Sequence, residues 1–456
     1  MTQLNKPFGV AILLAVLLLL AYGHTYNFTF QFDDYNVIVD EPKVHGLSAW
    51  WQSMPGMRPL LKLSYALNWQ FEQAPRFFRA FNLFCHFVTS ILVWKLCAKL
   101  LPILRKDELH TNRIALLTAF LFALHPAHTE VITYISSRST GLMTLLCIAS
   151  LLFFLAYIQP TKNQKTANLG ASVLCWLLAI LVKEPAIVLP LLACLLFKLM
   201  HPSASVYEGF KQLADDKKRL LMLLFSAPIV YVWFVPQYAN LVSQVFSPAS
   251  LYSQLLSQPT AHAHYLTQTL LGLNLNVDYQ LDLPKTLDLQ ASLQAAWILA
   301  AGGMALMYFR RFPLICFCIL WWFVCLIPSN SIVPRLDIVN DRQIYMASIA
   351  PILLVSVHVI YLSDKLKKLK LMLPAALTLL ALGASWMRNW DYESEVTLWQ
   401  SSLRQQANNA RAWNNLGYAY LQTNKKREAK NAFENALKLD DTNYKAYYNL
   451  QELKQK

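Results

Sequence analysis

The sequence predicts an all-α, polytopic membrane protein with a short helical repeat domain at its C-terminal end. Of its 456 residues, 56% are hydrophobic and only 14% are charged, whereas soluble domains carry about 25% charged residues. Apolar stretches recur along the chain, and most approach or reach the about 17–25 residues that a helix needs to cross a bilayer. After Arg388 the composition becomes polar and a repeat pattern begins.

About eleven transmembrane helices are predicted within residues 1–388. The predicted spans are 8–24, 77–99, 113–126, 139–158, 167–183, 185–200, 219–236, 292–309, 313–328, 343–363 and 370–388. The first span ends in Tyr22-Gly23-His24, which is a poor match to a small-x-small cleavage site. We therefore expect it to remain as a helix and not to be removed as a signal peptide.

The formal net charge of +14 lies largely in alternate loops between the predicted spans. Because cytoplasmic loops are enriched in Lys and Arg, these basic loops are predicted to face the cytoplasm. The outer face then carries residues 25–76, 126–138, about 184, 237–291, 328–342 and those after 388. The excess of basic residues thus reflects the orientation of the loops in a lipid membrane, and no nucleic-acid partner is expected.

The two long outer loops differ in composition. The first, 25–76, alternates Trp, Met, Leu and Tyr with polar residues, which predicts amphipathic helices lying at the membrane interface. The second, 237–291, is mostly uncharged and rich in Gln, Ser, Tyr and Leu. It either covers a substrate cavity or is an ordinary surface loop.

Residues 389–456 predict a tetratricopeptide-repeat helical domain on the outer face. One near-complete 34-residue helix-turn-helix pattern is formed by Trp413, Leu416, Gly417, Tyr420, Ala429, Phe433 and Ala436. Half a repeat is expected on either side of it, which gives about four helices. Since about three repeats are normally needed for stability, we expect this domain to lean on the membrane domain.

Four polar groups share the predicted outer face. They are the aspartate pair (Asp33 and Asp34, just beyond the first span) with Arg58, the His-Glu group (His125, His128 and Glu130) with Arg138, the Lys-Glu pair (Lys183 and Glu184), and Arg342 with Tyr345. Ionised groups beside lipid are costly unless water, a cation or a partner accompanies them. Their convergence therefore predicts one polar cavity at this surface.

Such a set suits sugar transfer from a polyprenyl-linked donor. A carboxylate takes the proton of the acceptor hydroxyl, which is typically worth about 10²–10⁴-fold in rate. Cations hold the departing phosphate, Arg through two-point hydrogen bonding and Lys as a point charge. Each group also has a structural alternative: a helix cap or solvated loop for the aspartates, a metal site or structural hydrogen bonds for the His-Glu group, an internal ion pair for the Lys-Glu pair, and an interface anchor for Arg342.

These motifs, in this order, resemble the transmembrane and tetratricopeptide-repeat O-mannosyltransferases of the GT-C superfamily. The matching segments are the aspartate pair, Arg58-Pro59-Leu60, Leu124-His125-Pro126-Ala127-His128-Thr129-Glu130, Lys183-Glu184 and Asp341-Arg342-Gln343-Ile344-Tyr345. The resemblance covers nearly the whole chain and is weakest in 237–291. It implies a GT-C transmembrane catalytic domain over 1–388 and an inverting glycosyltransferase that uses a polyprenyl- or dolichyl-phosphate sugar on the extracytoplasmic side.

The resemblance also implies roles for individual residues. Asp34 is expected to be the base, with Asp33 positioning it or a divalent metal ion that the pair would hold; no other cofactor is expected. Glu130 and His128 would line the donor or acceptor cavity, and Lys183 and Arg342 would hold the phosphate. The full set of predicted substrate- and phosphate-binding residues is Arg58, His125, His128, Glu130, Arg138, Lys183, Glu184, Arg342 and Tyr345.

The repeat array is much shorter than in that family, which favours a bacterial relative in the inner membrane, with its site and repeat domain facing the periplasm. Mannose is the favoured sugar, and Ser/Thr of an exported protein is the favoured acceptor. A cell-surface glycan or lipid is an alternative acceptor. A transporter or flippase, and a membrane-anchored repeat scaffold, are the competing functions; the first predicts charges near the bilayer midplane, and the second leaves the loop carboxylates unexplained.

Overall fold

A computed structural model describes residues 7–54, 56–104, 108–159, 165–201, 248–281, 289–330 and 337–455. These residues form helices joined by turns, with no strand among them. The helices are α1 (Pro7–Tyr22), α2 (Leu47–Gln52), α3 (Pro59–Phe71), α4 (Pro75–Leu104), α5 (Glu108–Ala123), α6 (Thr129–Ile132), α7 (Arg138–Ile158), α8 (Lys165–Val182), α9 (Leu189–Met200), α10 (Pro248–Leu271), α11 (Leu289–Met307), α12 (Pro313–Leu326), α13 (Ile344–Ala347), α14 (Ile349–Lys365), α15 (Met372–Asn389), α16 (Glu395–Gln405), α17 (Ala410–Gln422), α18 (Lys426–Leu439) and α19 (Tyr444–Gln455).

The all-helical prediction is confirmed for the described part of the chain, and the chain has transmembrane character. By length and composition, four described helices can cross a membrane, or six if each of two bent helix pairs counts as one span. The predicted span 219–236 lies outside the described residues. Each of the other predicted spans overlaps a helix.

Helix α7 shows how the membrane domain builds its core. Met143, Cys147, Leu151 and Leu155 recur every four residues and are all buried, which places them on one face of the helix. That helix packs against α4 and α8. Truncating one of these leucines to alanine typically costs about 2–5 kcal/mol, because the cavity cannot close fully.

Helix α10 lies within the predicted outer loop 237–291, for which the sequence predicted no helix. Its buried face carries Gln254, Gln258, Tyr265 and Gln268, whereas apolar side chains such as Leu255 are exposed. The spacing is helical, but the polar side faces the protein and the apolar side faces outward. Sequence reasoning looks for an apolar stripe that faces inward, and it therefore overlooked this helix.

The predicted helical repeat is confirmed in the C-terminal domain. Helices α17 and α18 pack through Phe433, which is fully buried against the backbone at Gly417. A Cβ atom at position 417 would lie 2.5 Å from the ring of Phe433, so the repeat requires glycine there. The side chain of Asn409 caps α17 by accepting a hydrogen bond from the amide of Ala412.

The C-terminal domain contacts the membrane domain through polar side chains. Arg411 forms ion pairs with Asp278 and, at 2.8 Å, with Asp337. Gln406 and Gln280 exchange two hydrogen bonds of 2.7 Å between side chain and backbone. The described repeat helices therefore pack against the membrane domain as well as against one another.

Candidate active site

The loop that follows α1 presents Asp34 as a buried carboxylate. Its Oδ1 accepts a hydrogen bond of 2.7 Å from the amide of Ser136, and its Oδ2 accepts one of 3.1 Å from the amide of Gln31. Only 1% of the residue is exposed. Burial raises the pKa of Asp34 to about 7, although both amide hydrogen bonds act in the opposite direction. Asp34 thus ties the loop after α1 to segment 134–137.

Asp33 is held differently from its neighbour. Its backbone amide donates to the Tyr134 hydroxyl at 3.0 Å, and the residue is half-buried. Its carboxylate forms no hydrogen bond or ion pair with any residue that the structure describes. It lies within electrostatic range of Arg342. Asp33 is therefore the carboxylate of the pair that is open to a ligand.

Arg342 is fixed by Glu130. The guanidinium Nη1 lies 3.0 Å from Glu130 Oε1, and the Arg342 backbone amide donates to Glu130 Oε2 at 2.8 Å. The Glu130 side chain is fully buried, whereas 23% of the Arg342 side chain is exposed. One carboxylate thus holds both ends of the arginine, and the exposed part of the guanidinium retains donors for an anion.

The Lys-Glu pair and Arg58 form a neighbouring cluster. Arg58 makes two-point contact with Glu184, with Nε and Nη2 each 2.9 Å from a carboxylate oxygen. Lys183 Nζ donates to the Thr140 hydroxyl at 2.6 Å, and it lies within electrostatic range of Glu130. Glu184 therefore forms an ion pair, with Arg58 as its partner. Lys183 is oriented by the Thr140 hydroxyl.

The two histidines of the His-Glu group serve the scaffold. His125 Nε2 donates to the Thr269 carbonyl at 2.9 Å, and its Nδ1 accepts from the amide of Ala127. His128 is completely buried, with Nδ1 2.7 Å from the Phe122 carbonyl and Nε2 3.0 Å from the Ser348 hydroxyl. Both rings therefore use both nitrogens within the protein, which favours the structural alternative.

Arg138 and Tyr345 also lie within the protein core. Arg138 donates to the side chain of Asn82 and to the backbone carbonyls of Ser64 and Phe78, at 2.8 to 3.0 Å. The Tyr345 hydroxyl lies 2.6 Å from the Nδ1 atom of His86. We assign both residues to the support of the site and not to contact with a substrate.

The structure thus brings Asp33, Asp34, Glu130 and Arg342 together at one end of the helices, with Lys183 nearby. Among the described residues, no three His, Cys, Asp or Glu side chains form a group that could hold a metal. The aspartate pair alone is not a complete ligand set, although an ion such as Mg²⁺ often needs only one or two carboxylates when substrate phosphates supply the rest.

The sequence did not indicate that residues of the C-terminal domain contact the aspartate loop, which is the loop after α1 that carries Asp33 and Asp34. Glu395 accepts a hydrogen bond of 2.5 Å from the amide of Phe32, whose positive φ of 43° is unusual for a non-glycine residue. The ring of Phe32 packs edge-on against Trp399. Gln31 donates to the backbone carbonyl of Tyr392. In the sequence, Glu395 is typical of an ordinary acidic residue in a first helical turn.

A second missed pair lies beside the site. Asp341 and Arg388 are both buried, 3.4 Å apart, and Asp341 also accepts from Gln268 at 2.8 Å. Arg388 also forms an ion pair with Asp391, at 2.8 Å. The motif around Arg342 contains Asp341, but nothing in the sequence indicated that its partner would come from the end of α15.

Comparison with known proteins agrees with these features. The tetratricopeptide repeat family matches residues 410–443. The chain is 25% identical to Protein O-mannosyl-transferase TMTC3 of Mus musculus, over 90% of this chain and 48% of that protein. It is 23% identical to Protein O-mannosyl-transferase F38B6.6 of Caenorhabditis elegans, over 94% and 62% respectively. Protein O-mannosyl-transferase TMTC1 of Mus musculus is 31% identical over 43% of this chain and 23% of its own length.

The resemblance predicted from the sequence is therefore confirmed: over about nine-tenths of its length the chain is similar to these transferases. The chain spans about half the length of the mouse and human TMTC3 proteins. No solved structure matches it.

Proposed function

We propose that this chain is an inverting glycosyltransferase of GT-C type, which moves mannose from a polyprenyl phosphate to a Ser or Thr hydroxyl of an exported protein. One observation carries the proposal: the open carboxylate of Asp33 lies within electrostatic range of Arg342, which Glu130 fixes in place. The names of the similar proteins support mannose and a protein acceptor.

The proposed reaction is a single displacement. The acceptor oxygen gives its proton to the Asp33 carboxylate and forms a bond to the anomeric carbon, while the bond from that carbon to the phosphate oxygen breaks. Polyprenyl phosphate leaves with one additional negative charge, which Arg342 and Lys183 stabilise. The leaving phosphate needs no proton. Attack from the face opposite the phosphate inverts the anomeric configuration.

We assign the base to Asp33 and a positioning role to Asp34. This order is the reverse of the expectation from the sequence. Both carboxylate oxygens of Asp34 accept hydrogen bonds from backbone amides, and the residue is almost fully buried. Asp33 is half-buried and its carboxylate forms no hydrogen bond with the described residues, so an acceptor hydroxyl can reach it.

The membrane arrangement belongs to the same proposal. About eleven spans would place the aspartate loop, segment 126–138 and the C-terminal domain on the outer face, which in a bacterial inner membrane is the periplasmic side. Contacts between these segments support this placement, because Ser136 contacts Asp34 and Glu395 contacts Phe32.

A transfer assay tests the function. The full chain in nanodiscs would receive synthetic polyprenyl-phosphate [³H]mannose and exported proteins as acceptors, and label in the protein fraction would be counted. Wild type is expected to label Ser or Thr, and Asp33→Asn is expected to label almost none. Asp40→Asn, which removes an exposed carboxylate of the same loop, is the matched control. Label confined to glycan or lipid would move the acceptor to those classes, and no label from any such donor would refute the transferase.

A further inference from the structure

Five buried polar atoms beside the site have no hydrogen-bond partner among the described residues. They are Asn340 Nδ2 and Oδ1, Gln343 Nε2, Gln268 Oε1 and Thr269 Oγ1. Asn340, Gln268 and Thr269 are each at least 96% buried. Buried polar groups in folded proteins nearly always have a partner, so several orphaned atoms in one region require an explanation.

These atoms lie close together because one tyrosine and one aspartate join their elements. The Tyr265 hydroxyl donates to Gln343 Oε1 at 2.8 Å and accepts from the amide of Asn340 at 3.1 Å. One turn further along α10, Gln268 Nε2 donates to Asp341 at 2.8 Å. Thr269 follows directly, so the polar side of α10 faces segment 340–343 over these residues.

The chemistry of the group indicates a neutral ligand. It comprises two amide donors, two amide acceptors and one hydroxyl that does both. A phosphate only accepts hydrogen bonds, and the two acceptor oxygens would repel it. A sugar ring offers hydroxyls that donate and accept in turn. The neighbouring carboxylates are already paired, since Asp341 pairs with Arg388 and Glu130 pairs with Arg342.

We infer that Asn340, Gln343, Gln268 and Thr269 form the pocket for the hydroxyls of the donor sugar, an inference that rests on the proposed glycosyltransferase. The pocket adjoins Arg342, the residue that follows Asn340, so a sugar held there would have its phosphate within reach of that cation. The side-chain amide of Asn340, whose Nδ2 donor and Oδ1 acceptor both have no partner among the described residues, is suited to two adjacent hydroxyls. The polar face of α10, unusual for a helix in a membrane domain, is then the wall of a binding site.

The test uses substitutions that remove only unpartnered atoms. Asn340→Ala and the isosteric Thr269→Val break no hydrogen bond that the structure shows, so without ligand their melting temperatures should equal or exceed that of the wild type. A structural amide or hydroxyl would instead lower the melting temperature when removed. Thr118→Val, which deletes a buried hydroxyl bonded within α5, is the matched control.

Three ligand arms separate the sugar from the lipid phosphate. Full-chain protein in nanodiscs is heated with buffer, with polyprenyl phosphate, or with polyprenyl-phosphate mannose. Wild type should gain additional stabilisation from the mannose. In Asn340→Ala the mannose-bearing donor should bind about tenfold more weakly, whereas polyprenyl phosphate alone should bind as it does to wild type. Thr118→Val should begin from a lower melting temperature in buffer but gain the same stabilisation from each ligand as wild type.

The other outcomes overturn the inference in distinguishable ways. If mannose adds no stabilisation beyond polyprenyl phosphate, the sugar pocket is refuted while the donor class stands. If Asn340→Ala weakens both ligands equally, the amide acts on the phosphate end, and if it weakens neither, the orphaned atoms bind only water. If neither ligand stabilises the wild type, the proposed transferase falls together with its pocket.

Discussion

Exchanging each aspartate for asparagine separates the base from its support. Asp33→Asn removes a carboxylate that has no hydrogen bond within the described residues, so the melting temperature should stay the same. Asp34→Asn removes one acceptor: its Oδ1 can keep the bond from Ser136, but its amide nitrogen would then face the amide of Gln31. The two nearly isosteric changes should therefore have different consequences.

Asp33→Asn should mainly lower the transfer rate, whereas Asp34→Asn should mainly lower stability. Loss of a general base lowers the rate about 10²–10⁴-fold, which corresponds to ~3–5.5 kcal/mol in the barrier. This loss is expected for Asp33→Asn. An orphaned buried amide costs about 1–3 kcal/mol of stability. Asp34→Asn should show that cost as a lower melting temperature at about pH 4, where the wild-type carboxyl is protonated. Its transfer rate should fall less than about tenfold for the folded fraction, because the base itself remains.

The assay counts mannose transfer per folded molecule. Monodisperse protein in nanodiscs is quantified, its melting temperature is recorded, and initial rates are measured at saturating donor. Asp40→Asn is the control for loss of one exposed negative charge in the loop. If Asp34→Asn abolishes transfer at an unchanged melting temperature while Asp33→Asn retains it, the assignment is wrong and Asp34 is the base.

Three further predictions concern the surroundings of the aspartates. The pKa of Asp34 is raised by burial from 3.8 to about 7. Its contribution to stability is therefore complete below about pH 4 and is lost as the pH rises through about 7. Relative to Asp34→Asn, wild type should lose up to ~4 kcal/mol of unfolding free energy between about pH 4 and 8, measured by thermal unfolding. Arg342→Lys keeps the charge but not the two-point geometry and should lower kcat/KM for the donor about tenfold, whereas an unchanged kcat/KM would remove the phosphate role. Glu395→Ala should expose the Phe32 amide to hydrogen exchange and lower kcat, Glu395→Gln should restore both, and exposed Glu393→Ala should change neither.

Topology allowed the sequence to predict which loops would share one face. Asp34 and Ser136 are far apart in the chain but lie in loops that the Lys and Arg distribution places on the same face, and they are hydrogen-bonded at 2.7 Å. Glu130 and Arg342 meet for the same reason, at 3.0 Å. The repeat was predictable residue by residue, because a fixed spacing requires Gly417 where Phe433 packs.

The roles within the site were less predictable because they depend on backbone partners. The spacing of His125 and His128 leaves a metal site, a substrate contact and a structural role open. Only the structure shows that carbonyls of Thr269 and Phe122 accept from these rings. Helix α10 was overlooked for a related reason: hydropathy reports how polar a residue is but not whether it faces lipid or protein, and here the polar face is buried.

The partnering of buried charges explains why one carboxylate stands apart. An uncompensated buried charge is strongly destabilising, so a site near lipid must pair its ions or leave them accessible. Glu130 is paired with Arg342, Asp341 with Arg388, and Asp34 is held by two amides.

Asp33 alone of the four outer-site carboxylates Asp33, Asp34, Glu130 and Asp341 has no such partner among the described residues, and it is half-exposed. The backbone on its N-terminal side is fixed by Glu395, which accepts from Phe32, and its own amide is bonded to Tyr134. The scaffold thus fixes the position of Asp33 while leaving its charge unneutralised. That combination is what a general base requires: geometry set in advance, and a proton acceptor whose partner arrives with the substrate.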